Sequence, residues 1–168
     1  MFLTLALILS SCNPSLWDHV YNSPRLRVIQ PCVTVTGTVA RRCRREKDGD
    51  LHCFLRVDKQ FKFMLSQANI QKEFGALVFE PMCVKPPVQT DAIQSCRGFS
   101  QSFPAITVGN RVSVTGSFVL DTAHGHNEIH PVSSVHPVSS VHPVPVLTVS
   151  SVPVQPNLGE KDVPQSKK

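Results

Sequence analysis

Two stretches limit the fold more than any other feature: VTVTGTV at residues 33–39 and VSVTGSFV at residues 112–119. In the first, Val33, Val35 and Val39 alternate with Thr34, Thr36 and Thr38, the period of two of a half-buried strand. In the second, Val112 and Val114 alternate with Ser113 and Thr115. Each is interrupted by a glycine, Gly37 or Gly116, and a glycine inside a strand marks a bulge or a sharp bend. Two kinked strands suit a small sheet that curls round on itself.

The remaining strands follow from the same reading. Asp48-Gly49 lies between the first alternating run and a second, in which Leu51, Cys53, Leu55 and Val57 alternate with His52, Phe54, Arg56 and Asp58; Asp-Gly in that setting signals a hairpin. ALVFEPM (residues 76–82) reads as a third strand ended by Pro81, and Asn127–His130 as the last. Residues 60–75 lose the alternation and suit a short helix or an irregular loop, and Thr90-Asp91 can cap one helical turn running to Cys96. The expected fold is all-β: a five-stranded OB-like barrel in antiparallel order, with short helical insertions.

WDHVY, PCVTVTGTV, DGDLHCFLRVD, VTGSFVLD and HGHNEIHPV together resemble a group of uncharacterised bacterial envelope proteins with an OB-like fold, over residues 17–132. The resemblance implies a fold and carries no activity with it. Its pattern has tryptophan where this chain has His126.

Composition places the boundaries. The chain has 168 residues, enough for one domain plus extensions. Residues 1–11 are apolar and signal-like, and Leu9-Ser10-Ser11-Cys12 resembles a lipobox, although no Lys or Arg precedes it. Lipidation of Cys12 would anchor the protein to a membrane of the bacterial cell envelope. Residues 12–31 form a lead-in that packs an aromatic, and residues 32–132 the domain. Residues 133–168 repeat HPVSSV and are rich in Pro, Ser and Val, the composition of a disordered tail; Pro131 is expected to end the last strand.

With Cys12 lipidated, five cysteines remain and at least one stays unpaired. Cys83 with Cys96, and Cys43 with Cys53, are the disulfide candidates in an oxidising compartment; buried free thiols are the alternative.

Three constellations are candidates for function. The net charge of +5 is concentrated in a basic hairpin, where Arg42 and Arg44 would share an outer face with His52, Phe54 and Arg56. Arginines beside an aromatic can hold single-stranded nucleic acid; a solvated hairpin tip is the plainer reading. His126, Glu128 and His130 have the parity to share one strand face near Asp121 and His124, and could ligate a metal. The plainer reading has Asp121 and His124 bonding turn backbone, Glu128 in solvent and His130 at the barrel edge. No nucleophile elbow or phosphate loop is present, so neither an enzyme class nor a cofactor is expected. The expectation is an exported, lipid-anchored binding module with an envelope protein or another ligand as partner. A nucleic-acid-binding protein ranks second and a metal-dependent enzyme third.

Overall fold

The computed structural model describes residues 12–138. The signal-like segment 1–11 and the tail from 139 onward, with His142, lie outside the described residues. Five strands carry the fold: β1 (Leu26–Arg45), β2 (Leu51–Val57), β3 (Leu77–Phe79), β4 (Arg111–Asp121) and β5 (Asn127–Pro137). One α-helix, α1 (Gln67–Lys72), and four short 3₁₀ turns complete the described elements.

The strands pair in the order β1-β2-β3-β5-β4, and β4 returns to β1, so the sheet closes into a ring. β1 makes the closure possible by serving both neighbours. Leu26 to Thr38 pair with β4, and Gly37 to Arg45 pair with β2. At Gly37, which faces Val57 on one side and Val112 on the other, a Cβ would stand 2.5 Å from the carbonyl oxygen of Arg56. At Gly116 it would stand 2.4 Å from the carbonyl oxygen of Pro131. Both glycines are therefore required by close backbone approach.

Two boundaries and one pairing differ from the sequence expectation. β1 starts at Leu26, inside the expected lead-in, because Leu26, Arg27 and Val28 find partners on β4. β5 continues through Pro131 to Pro137, beyond the expected end of the domain at 132. The register shifts between the pairs Gly116–Val132 and Phe118–Ile129, one residue on β4 against two on β5, so Pro131 sits in a bulge, a place where a missing N–H is tolerated. The peptide bond before Pro131 is cis. Val135, which ends the first HPVSSV copy, and His136, which opens the second, then pair with Val114 and Ser113. Finally, β3 and β5 run parallel, so the pairing is not antiparallel throughout.

Inward-facing Val35, Val39, Leu55, Leu77, Phe79, Val114, Ile129 and Val132 fill the ring. A second apolar cluster of Leu16, Val20, Leu26, Met82 and Val119 lies beyond it, with Trp17 packed alongside. Burial of each such side chain contributes about 1.5–3 kcal/mol.

All six cysteines are paired: Cys12–Cys32, Cys43–Cys53 and Cys83–Cys96. The last two are the pairs the sequence suggests. The first removes the unpaired thiol and engages the sulfur that a lipid would take. Three disulfides in so short a chain fit an oxidising environment outside the cytoplasm.

Candidate functional site

Six buried side chains from four elements form a closed cycle in which imidazoles and carboxylates alternate. His52 on β2 places Nδ1 2.6 Å from Glu80 Oε1 and Nε2 3.2 Å from Glu73 Oε2. Glu80 Oε2 lies 3.0 Å from His130 Nδ1, which lies 3.3 Å from Glu128 Oε1. Glu128 Oε2 is 3.0 Å from His126 Nε2, and His126 Nδ1 is 3.6 Å from Glu73 Oε1, completing the cycle.

The fold sets this geometry from three sides. His126, Glu128 and His130 enter at the start of β5, and Glu80 follows β3, whose parallel pairing brings Val78 beside Glu128. Glu73 ends α1, which is held to β5 by one residue: buried Asn69 accepts the amide of Asn127 and donates to its carbonyl, at 2.8 and 2.9 Å. Asn69 also completes a capping box with Ser66, so the helix start and its docking share a side chain. Its Oδ1 accepts the Ser66 amide while Ser66 Oγ accepts its own.

Arg25, just before β1, inserts its guanidinium among the acids. It donates to Asp121 Oδ2 and stands 3.6 Å from Glu128 Oε1 and 4.0 Å from Glu80 Oε2. Asp50 reaches the cluster from the hairpin, 3.9 Å from His130 Nε2, while its Oδ1 accepts the Cys83 amide. Five buried acids, Asp50, Glu73, Glu80, Asp121 and Glu128, thus surround one arginine and three buried histidines.

Burial and charge compete here. Burial opposes a charge on His130, yet Glu128 and Glu80 override it and push its pKa up to about 10. Desolvation lifts Asp50 to about 7 despite the pull of His130. Glu80 is held well below the ordinary range, because contacts to His130 and His52 outweigh its burial. Among the described residues, three buried side-chain atoms lack a hydrogen bond: Glu128 Oε1 and both ring nitrogens of His130. Their charged neighbours are close but not aligned for one, and such groups are uncommon inside a native fold.

A pocket of about 280 Å³ opens onto this cluster. Its floor includes His52, Glu73, Glu80, Asp121 and His126, and Arg44, Lys47, Asp48 and Gln89 stand around it.

The structure brings His126, Glu128 and His130 together, all buried. Asp121 accepts the turn amides of Ala123 and His124, and takes His124 Nδ1 at 2.7 Å. Arg42, Arg44, Phe54 and Arg56 do not form one open face. A register shift between Arg41 and Arg44 sets Arg41 opposite Phe54 and Arg44 opposite His52, so simple alternation fails. Arg42 lies instead along a separate depression with Phe103 and Ile106. Phe54 is only 1% exposed, and its ring meets Phe74 at 5.7 Å, leaving no stacking surface for a base. Arg56 is exposed elsewhere on β2, opposite Thr38. The hairpin tip is not a free, solvated loop either, since Lys47 O accepts the amides of Val88 and Gln89.

Sequence reasoning misses Arg25, Asp50, Glu73 and Glu80, and places His52 on an outer face. The available signal was a charged residue inside an apolar run: Glu80 closes ALVFE before a proline. No protein-family model, curated protein or solved structure matches the chain.

Proposed function

We propose that the chain is an exported, disulfide-braced binding module of the OB type, and that the polar pocket over the histidine–carboxylate cycle is its ligand seat. The strand order, with a shared and kinked β1 and a parallel β3–β5 closure, supports the OB assignment. The observation that carries the seat is the cost of its floor. Burying so many ionisable groups is unfavourable compared with an apolar interior, and perturbed groups gathered in a cleft are the physical mark of a functional site. A lipid anchor on Cys12 is an alternative to the Cys12–Cys32 disulfide, because both need the same sulfur. A secreted or envelope-associated protein without that anchor fits the pairing. A partner protein in the envelope is compatible with this reading, and of the patch expected for nucleic acid the Phe54 ring is closed to solvent.

Melting the oxidised chain with inorganic phosphate, citrate, AMP, ZnCl2 or an oligothymidylate strand tests the seat, since a ligand of the native state raises Tm. At least one probe is expected to raise it, and Gln89→Trp in the pocket wall to abolish the rise. A panel without any rise, or a rise that survives Gln89→Trp, sinks the reading.

A further inference from the structure

We infer that Asp121, His126 and Glu128 form a binding site for one divalent transition-metal cation, guarded by Arg25. The inference rests on the pocket being the ligand seat and names what the seat takes.

The three residues each present a ligand atom within 4.8 Å of the others, and all three are buried. Asp121 and His126 line the pocket, so the group can be reached from solvent. Glu128 is fully buried, and its Oε1 has no hydrogen-bond partner. An ion at this point would supply that missing partner. Two carboxylates and one imidazole are a mixed oxygen and nitrogen set, suited to Zn²⁺ or Mn²⁺, with Zn²⁺ the tighter. Ca²⁺ and Mg²⁺ favour all-oxygen shells. No thiolate competes, because every cysteine is in a disulfide.

Arg25 gives the site its particular character. Its Nη1 contacts two of the three ligands, Asp121 and Glu128, so the guanidinium stands in for the cation. A bound ion must displace it. The side chain is 15% exposed and lines the pocket, which leaves it room to swing outward. A neighbouring set, Asp50, Glu80 and His130, has similar spacing. Asp50 and His130 do not line the pocket, and that set is the competing location.

Calorimetric titration of the tag-free, EDTA-treated full chain with ZnCl2 tests the assignment. One ion per chain is expected, with MgCl2 and CaCl2 giving no comparable heat. His126→Ala and Glu128→Gln should each weaken binding at least tenfold, whereas Asp50→Asn and a joint His136→Ala, His142→Ala change should leave it within about threefold. Arg25→Gln should tighten binding at least tenfold, because no arginine then needs to leave. Absence of Zn²⁺ binding overturns the inference, as does wild-type affinity in His126→Ala or Glu128→Gln, or loss of binding in Asp50→Asn. Unchanged or weaker binding in Arg25→Gln overturns the guarding role. If His126→Ala does not fold, electron paramagnetic resonance of Cu²⁺ on the unaltered chain serves instead. A single imidazole nitrogen is expected in its coordination, and two or more would overturn this ligand set. A Tm rise with citrate or phosphate but no Zn²⁺ binding overturns the metal alone and leaves the seat standing. No rise with any probe removes both.

Discussion

Arg111 grips Asp58 with both ends of its guanidinium, Nη1 to Oδ1 at 2.9 Å and Nη2 to Oδ2 at 2.7 Å. Asp58 follows β2 and Arg111 opens β4, so the pair ties together the two strands that leave β1 at Gly37. Thr36 of β1 donates to the same carboxylate, and the Asp58 amide donates to Thr36 O. Three strands thus meet at one acid.

This contact predicts a pH dependence. The Arg111 bonds, then the Thr36 bond, hold the Asp58 pKa below its ordinary 3.8. A lowered carboxylate stabilises the fold above its unfolded pKa, and that contribution is lost as pH falls through the lower folded value. Carbon-13 NMR titration of the Asp58 carboxyl is expected to show the low midpoint, with Arg111→Ala returning it toward 3.8. An unchanged midpoint in the variant would refute Arg111 as the cause.

The glycines of the kinked strands make a second test. A Cβ at Gly116 would lie 2.4 Å from a backbone oxygen and 2.6 Å from Ile129 Cγ2, so Gly116→Ala forces β4 and β5 apart. The expected loss is about 3 kcal/mol, the upper part of the range for overpacking. Gly98 has nothing within 4 Å of its would-be Cβ and a φ of +70°. Gly98→Ala should therefore cost only the left-handed strain, about 1–2 kcal/mol. Equal losses in urea unfolding would contradict the close-approach argument.

These residues also show what the sequence makes legible. Strict alternation through Val33, Val35 and Val39, broken by one glycine, is a local pattern, and local patterns survive translation into structure. The bulge at Arg41–Arg44 is not legible, because alternation counts residues and a bulge adds one without a sequence mark. The site was half legible for a related reason. His126, Glu128 and His130 lie two apart on one strand, so parity groups them. Glu73 and Glu80 reach the same point through the Asn69 docking of α1 and the parallel β3–β5 pair, relationships carried by tertiary contact alone. His52 sits in an alternating run whose outer face is covered in the fold by Phe74 and Glu73.

The cysteine pairing gives a third prediction. Intact mass of the full, oxidised chain under non-reducing conditions should rise by six hydrogens on reduction, and peptide mapping should join Cys12 to Cys32. A lipid-modified Cys12 peptide would contradict that pair. Replacing Cys83 and Cys96 together by Ser should cost about 3 kcal/mol in the chain-entropy model for a loop of that size. A cost near zero would mean that the surrounding Met82 and Phe99 packing, and not the bond, holds the proline-rich loop.

Phe54 separates packing from recognition. Its ring lies between Phe74 and the Arg44 guanidinium, 5.3 Å from its centroid, and is closed to solvent. Phe54→Ala should destabilise the fold by about 3–5 kcal/mol, as for other buried phenylalanines. Arg44→Ala, at an exposed side chain that pairs with Glu46 at 3.5 Å and lies over the Phe54 ring, should cost less than about 1 kcal/mol. Near-neutral Phe54→Ala, combined with lost affinity for oligothymidylate, would restore the nucleic-acid reading.

Glu80 supports the cycle from beneath. Like Glu73 and Glu128 it is shared by two imidazoles, here 2.6 Å from His52 and 3.0 Å from His130, and its lowered pKa keeps it charged opposite them. Glu80→Gln removes that charge and leaves His52 with Glu73 and His130 with Glu128, each imidazole short of one carboxylate partner. Breaking one partner of a buried ion pair costs about 3–5 kcal/mol, whereas replacing the group by well-packed apolar residues is often close to neutral. Urea unfolding in EDTA should therefore show Glu80→Gln losing more stability than a variant in which all three imidazoles and all three carboxylates of the cycle are replaced by apolar residues of similar size. That ordering is what a floor kept for function rather than for stability requires. If the all-apolar variant is the less stable, the cycle is itself a net source of stability, and the cost that carries the ligand-seat reading disappears.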